Sequence, residues 1–265
     1  MHRHCDDSDV NVSTHVLDNP VWLSLHGEHA RFAEVRGEAA RYHPDVAPFA
    51  AISDNPTPAC WSDLVALFGP GAHVVLVDAP RGVPETWQLL GQTDGVQLVG
   101  EAVTTRPDAD AVALGPDDVP AMLRLVDRTK PGPFAPRTIE LGRYIGVWIE
   151  GELVAMAGER LHPQGWTEIS AVCTDERFRG RGLASRLILD IGHGIRARGE
   201  LPFLHASAQN TNAIRLYESM GFVLRRKRVF TAWRLPGPAA PAARPSGSGI
   251  SARARSLSIH EQRSP

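Results

Sequence analysis

Apolar positions in this chain come in short runs whose period changes from two to about 3.6 and back. Tyr144–Ile149, Leu153–Arg160 and Thr167–Cys173 read as strands, separated by turns at Gly151 and at His162-Pro163-Gln164-Gly165. That spacing predicts a three-stranded antiparallel meander. Leu187, Ile188, Ile191 and Ile195 then recur at helical spacing and predict a helix over 183–198. Gly192 and Gly194 weaken that helix by about 1 kcal/mol each. A strand over 203–208, a helix over 212–220 and a last strand over 223–233 follow. Ahead of the meander, Ala111–Leu114 is a short strand. Val119, Met122, Leu123 and Val126 form the stripe of a helix capped by Asp117 or Asp118, with Pro120 in its first turn. Pro131-Gly132-Pro133 ends it. The order strand, helix, three hairpin strands, helix, strand, helix, strand predicts an α+β fold. Its core is a mixed, mostly antiparallel central sheet flanked by helices.

The preceding segment, 18–105, reads as an additional N-terminal α/β half without a chemistry motif. Leu64, Leu67 and Phe68 predict a helix over 61–68, ended by Gly69-Pro70-Gly71, and His73–Asp78 and Val96–Val103 read as buried strands. Residues 1–17 are polar and mixed, the pattern of a mobile tail. Residues 236–265 are rich in Pro, Gly, Ala, Ser and Arg, which cannot bury enough apolar surface to offset the entropy of ordering. The expected organisation is therefore a tail over 1–17, the N-terminal half over 18–105, a second domain over 110–235, and a disordered tail over 236–265.

Composition removes several function classes. A net charge of -2 gives no global attraction to nucleic acid or anionic membrane. No apolar run approaches the roughly 20 residues needed to cross a bilayer. Cys5, Cys60 and Cys173 make neither a metal-ligand spacing nor a disulfide framework, which fits a reduced cytoplasm. Arg225-Arg226-Lys227-Arg228 is basic, but a strand there exposes only half of it.

Between the third meander strand and its helix lies Arg177-Phe178-Arg179-Gly180-Arg181-Gly182. Glycines let a backbone approach a ligand closely, the amides of residues 179–184 can face one concavity, and the helix start adds its positive end. Arg179 and Arg181 add charge. A tight basic turn is the plain alternative; a pyrophosphate site is the chemical one. No Gly-Lys-Ser or Gly-Lys-Thr is present for a P-loop, and Ser185 stands where a dinucleotide fingerprint needs its third glycine.

The Arg177-x-x-Gly180-x-Gly182 pattern resembles the acyl-CoA loop of the GNAT superfamily of N-acetyltransferases. Asn210-Thr211-Asn212-Ala213-Ile214-Arg215-Leu216-Tyr217-Glu218-Ser219-Met220-Gly221-Phe222 resembles that family's Asn-x-x-Ala-x-x-Leu-Tyr-x-x-x-Gly-Phe segment, in the expected order and separation. The resemblance covers about 111–235 and leaves the first half as a degenerate companion. It implies transfer of an acetyl group from acetyl-CoA to a primary amine by direct attack in a ternary complex, without a metal. It implies pantetheine and thioester contacts from Val172, Cys173 and Thr174. The pyrophosphate falls to Arg179, Gly180, Arg181, Gly182, Leu183 and Ala184. Asn210 is a pantetheine contact or a helix cap, and Tyr217 is the acid that protonates the leaving thiolate. Glu168 is the candidate base. Strand alternation would put it on one face with Ser170, Val172 and Thr174, and burial would raise its pKa; a structural pairing with an arginine is the alternative. His162 and His205 are weaker candidates, and an acyl-Cys173 intermediate is a further alternative. The acceptor is a small-molecule or peptide amine that contacts 132–143 and the last hairpin. Nucleic acid and membrane are not expected partners, and a homodimer is left open. A non-catalytic acyl-CoA-binding sensor or scaffold is the rival reading.

Overall fold

The structure is a computed structural model that describes residues 15–237; most of both expected tails lies outside those residues. Residues 15–17 fall inside, and there the expected tail is corrected. Val16–Asp18 forms a 3-10 turn whose Leu17 is fully buried.

In chain order the elements are α1 (Pro20–Leu25), β1 (Ala33–Arg36), β2 (Ala39–Tyr42), β3 (Phe49–Ile52), α2 (Ala59–Phe68), β4 (His73–Val77), β5 (Gln88–Val99), β6 (Val112–Ala113), α3 (Val119–Thr129), β7 (Tyr144–Ile149), β8 (Glu152–Glu159), β9 (Trp166–Thr174), α4 (Leu183–Ala197), β10 (Leu201–Ser207), α5 (Thr211–Ser219) and β11 (Val223–Arg234). Among the described residues eleven strands form one sheet, in the order β1-β2-β3-β4-β11-β5-β10-β9-β8-β7-β6. Only β3–β4 and β9–β10 pair in parallel; the other neighbours are antiparallel. The fold is the mixed, mostly antiparallel α+β class that the periodicities predict.

Helix α4 packs as its stripe requires. Leu187, Ile188, Ile191 and Ile195 are buried against Ile145, Val154 and Ile169. At roughly 1.5–3 kcal/mol for each buried large aliphatic side chain, this face outweighs two helix glycines. Gly192 also serves the packing, since a Cβ there would stand 3.0 Å from Thr105 Cγ2. On α3 the buried stripe is Ala121, Met122 and Leu125 rather than Leu123, with Val119 and Val126 at its edges. Leu125 lies one helical step, i+3, from Met122.

Strand β5 differs most from its expected 96–103. It begins eight residues earlier, at Gln88, and ends at Val99, before a turn at Gly100. Its first half is exposed and surrounds Leu89 and Leu90 with Gly and polar residues, which hid it from an apolar-run reading. It lies between β10 and β11, so the first half of the chain supplies an interior strand to the sheet of the second. The elements α1, β1, β2 and β3 have no counterpart in the periodicity reading. Their short runs are buried by tertiary contact, in a cluster that joins Leu17, Tyr42 and Phe49 to Leu161, Trp166 and Phe203.

Two irregularities shape the centre. First, β9 and β10 pair only from Leu201–Phe203 to Trp166–Glu168. Beyond that point they splay, and the facing edges of both strands are unpaired. Second, β9 carries a bulge: Ala171 has φ 52°, and the register to β8 slips between Met156 and Gly158. The expected common face of Glu168, Ser170, Val172 and Thr174 is thereby broken. Ala171 and Cys173 pack toward α3, whereas Val172 packs toward α4. One extra residue reverses the alternation downstream of it.

Candidate active site

The splay opens a cavity of about 910 Å³. One side is β9 from Ile169 to Thr174, and the other is β10 at His205, Ala206 and Ser207. The loop before α4 closes one end, Asn210 and Tyr217 flank it, and Phe49, Val75, Thr93 and Phe230 close the other.

At the loop, Gly180 and Gly182 have φ 76° and 73°, the left-handed region that disfavours side chains, and a Cβ at either would point into open space. Among the described residues, no backbone amide from Gly180 to Ser185 donates to a backbone carbonyl; the first such bond of α4 is Arg186 N to Gly182 O, at 3.1 Å. A row of free amides at a helix start is an anion cradle. Arg177 belongs to the frame of this loop and not to its lining. It donates to Asp175 and Glu152, while Arg128 donates to Asp175 from the other side. Arg177 holds the Asp175 carboxyl far below the usual carboxylate range, by hydrogen bonding and charge. Arg179 lines the cavity, and Arg181 lies over the Phe178 ring at 5.0 Å.

Asn210 caps α5: its Oδ1 accepts from Ala213 N at 3.2 Å. Tyr217 is mostly buried and lines the cavity, and burial pushes its phenol up to about 12. It is therefore a neutral proton donor at every ordinary pH. Cys173 also lines the cavity, but burial pushes its thiol up to about 11. A thiol of that kind is not an activated nucleophile.

Glu168 corrects the expectation of a raised pKa. It is fully buried and outside the cavity lining. Arg160 Nε and Nη2 donate to its two oxygens at 2.8 and 2.6 Å, and His205 Nδ1 lies 2.8 Å from Oε1. Burial pushes the carboxyl up, but the Arg160 guanidinium and His205 outweigh it and bring it down to about 2. His205 is fixed in turn. Gln97 Oε1 accepts from Arg225 at 2.8 Å, so its amide nitrogen donates to Leu17 O and to His205 Nε2, each at 3.0 Å. With Nε2 accepting, the proton sits on Nδ1 and faces Glu168. Burial also lowers the His205 pKa, so the ring is neutral. His162 lies beside Glu159 and stacks on His29, away from the cavity lining.

Sequence reasoning missed Arg160, Gln97 and the aromatic end of the cavity. A signal for Arg160 existed: it and Glu168 stand close on either side of the turn at 162–165, as a cross-strand pair does. Gln97, Phe49 and Phe230 had none, because the topology alone brings their strands here. Of the expected acceptor segments, Gly132 and Pro133 line the cavity, as does Phe230 of the last strand. The basic run 225–228 is largely occupied internally. Arg225 and Arg226 pair with Asp18, and the buried Arg228 pairs with Asp78.

Comparison with known proteins agrees with this geometry. The FR47-like protein family matches residues 144–231, which span the meander, the loop and α5. A crystal structure assigned as an acetyltransferase of the GNAT family from Novosphingobium aromaticivorans is 39% identical, with a TM-score of 0.77, and the match covers 86% of this chain and all of that one. A GCN5-related N-acetyltransferase from Kribbella flavida has the same fold at 17% identity, with a TM-score of 0.51 over 84% of this chain and 93% of its own. Over 84 residues the chain is 30% identical to a mycothiol acetyltransferase of Corynebacterium efficiens, and that match spans 31% of this chain and only 28% of the relative.

Proposed function

The chain belongs to the GNAT family of acetyltransferases, and from that premise we propose that it transfers the acetyl group of acetyl-CoA to a primary amine, with both substrates held together in the cleft between β9 and β10. The observation that carries this reading is the free-amide cradle from Gly180 to Ser185 at the mouth of a splayed, unpaired strand edge. The main-chain edge at Val172, Cys173 and Thr174 would hold the pantetheine arm and polarise the thioester carbonyl. The amides of Gly180, Arg181, Gly182, Leu183 and Ala184 would take the pyrophosphate, with the Arg179 and Arg181 charges beside it; the Arg179 amide, expected among these donors, is instead bonded to Glu176 O at 3.3 Å. Asn210 fixes the start of α5 and so the position of Tyr217. An N–C bond forms as the C–S bond breaks; Tyr217 gives its proton to the sulfur, and the amine loses its proton to water in the open cleft. In this reading Glu168 is a positioning residue that orients Arg160 and His205, since a carboxylate near 2 is too weak a base for an ammonium. Positioning and carbonyl polarisation supply most of the rate.

The test is thiol release from acetyl-CoA by the purified chain across an amine panel, with CoA binding followed by calorimetry. Initial-rate lines that intersect support a ternary complex, and parallel lines would point to an acyl-enzyme. If CoA binds tightly and no amine releases thiol, the chain is a sensor or scaffold instead.

A further inference from the structure

The cavity continues past the thioester region to an end built by the N-terminal half of the chain and β11. Its walls there are Phe49 of β3, Val75 of β4 and Phe230 of β11. Gly95 makes room for the Phe230 ring, since a Cβ would stand 2.6 Å from Phe230 Cε2. The floor is Arg160 and His205, and the Arg160 guanidinium lies over the Phe49 ring at 5.0 Å.

Charge is distributed unevenly around the cavity as a whole. Among the described residues no Asp or Glu lines the cavity, whereas Lys130, Arg160 and Arg179 do. Glu168 takes the Nε and Nη2 of Arg160, and Nη1 has no hydrogen bond among the described residues. Behind the floor, Glu168 pairs with Arg160, and Arg225, Arg226 and Arg228 pair with Asp18 and Asp78. A cationic acceptor with a second ammonium would find no carboxylate in the lining and, at this end, the Arg160 guanidinium. An acceptor with a carboxylate would find a fixed guanidinium edge in a buried setting, where charge-assisted pairing is strong.

We infer that this end is the acceptor subsite and that it takes an apolar α-amino acid, with the carboxylate on Arg160 and the side chain between Phe49 and Phe230. The inference rests on the acetyl-transfer reading for the amine's fate, but its binding claim can be measured separately. The full chain is saturated with CoA and titrated by calorimetry with N-acetyl-L-phenylalanine, N-acetyl-L-phenylalaninamide and N1-acetylspermidine. The acid should bind at least tenfold more tightly than its amide, and acetylspermidine should bind more weakly than either. Equal binding of acid and amide, or preference for acetylspermidine, overturns the inference. As a second arm, Gly95→Ala should raise the KM for L-phenylalanine several-fold through Phe230 and leave CoA affinity unchanged; an unchanged KM in a folded variant also overturns it. If the acetyl-transfer reading itself is wrong, no amine releases thiol, and the acid-versus-amide titration still decides the subsite.

Discussion

Replacing Glu168 by Gln separates a positioning carboxylate from a catalytic base. The substitution keeps the shape and removes the charge that Arg160 and His205 share. Arg160 is then buried without its counter-ion, and losing one partner of a buried pair costs about 3–5 kcal/mol; the retained amide oxygen favours the low end. Linkage for the same pair gives a figure of the same order. Moving a carboxyl from 4.5 to about 2 corresponds to about 3 kcal/mol, at roughly 1.4 kcal/mol per tenfold change in proton affinity. The sign follows from the direction. The folded state binds this proton more weakly than the unfolded chain, so the contribution is complete above about pH 5 and is lost as pH falls toward 2. Urea unfolding of both proteins across pH 2–8 should show a wild-type advantage of about 3 kcal/mol at neutral pH that narrows through this window. The wild-type rate should rise with pH toward the range of the acceptor amine, without an inflection between pH 4 and 6. A Gln variant as stable as wild type, with an acid inflection present in wild type and absent in the variant, would refute the positioning argument.

Three further predictions concern the loop before α4 and the residues beside it. Tyr217→Phe should lower kcat by roughly 10²-fold or more while the Kd for CoA stays within a few-fold; equal loss of both would make Tyr217 a packing residue. Gly182→Ala forces a side chain into φ 73°, at a folding cost of about 1–2 kcal/mol, and places a methyl in the cradle; calorimetry should show CoA affinity falling at least tenfold, and retained affinity would remove the cradle from the binding site. Cys173→Ala should keep most of the activity, because a thiol near 11 is not the nucleophile; abolished turnover, together with an acetylated Cys173 in the wild-type mass spectrum, would restore the acyl-enzyme route.

What the sequence determined by itself was local. The meander at Tyr144–Cys173, α4 and α5 follow from periodicity, because each buries one stripe or face whatever its neighbours. The cradle was legible for a similar reason: its glycines, arginines and helix start lie within a few consecutive residues, so their backbone geometry sets the chemistry. Tertiary structure decided the rest. The bulge at Ala171 reversed the expected face of Val172, and no composition signal marks where a strand gains a residue. Glu168 was visible as a buried strand carboxylate, yet its protonation depended on Arg160 across the hairpin and His205 on β10. A pKa is set by the charges within a few ångströms, and those come from distant parts of the chain. The aromatic end of the cavity exists only because β5 enters the sheet between β10 and β11 and brings β4 and β3 alongside. A periodicity records which face of a strand is buried, and strand order alone settles what that face meets.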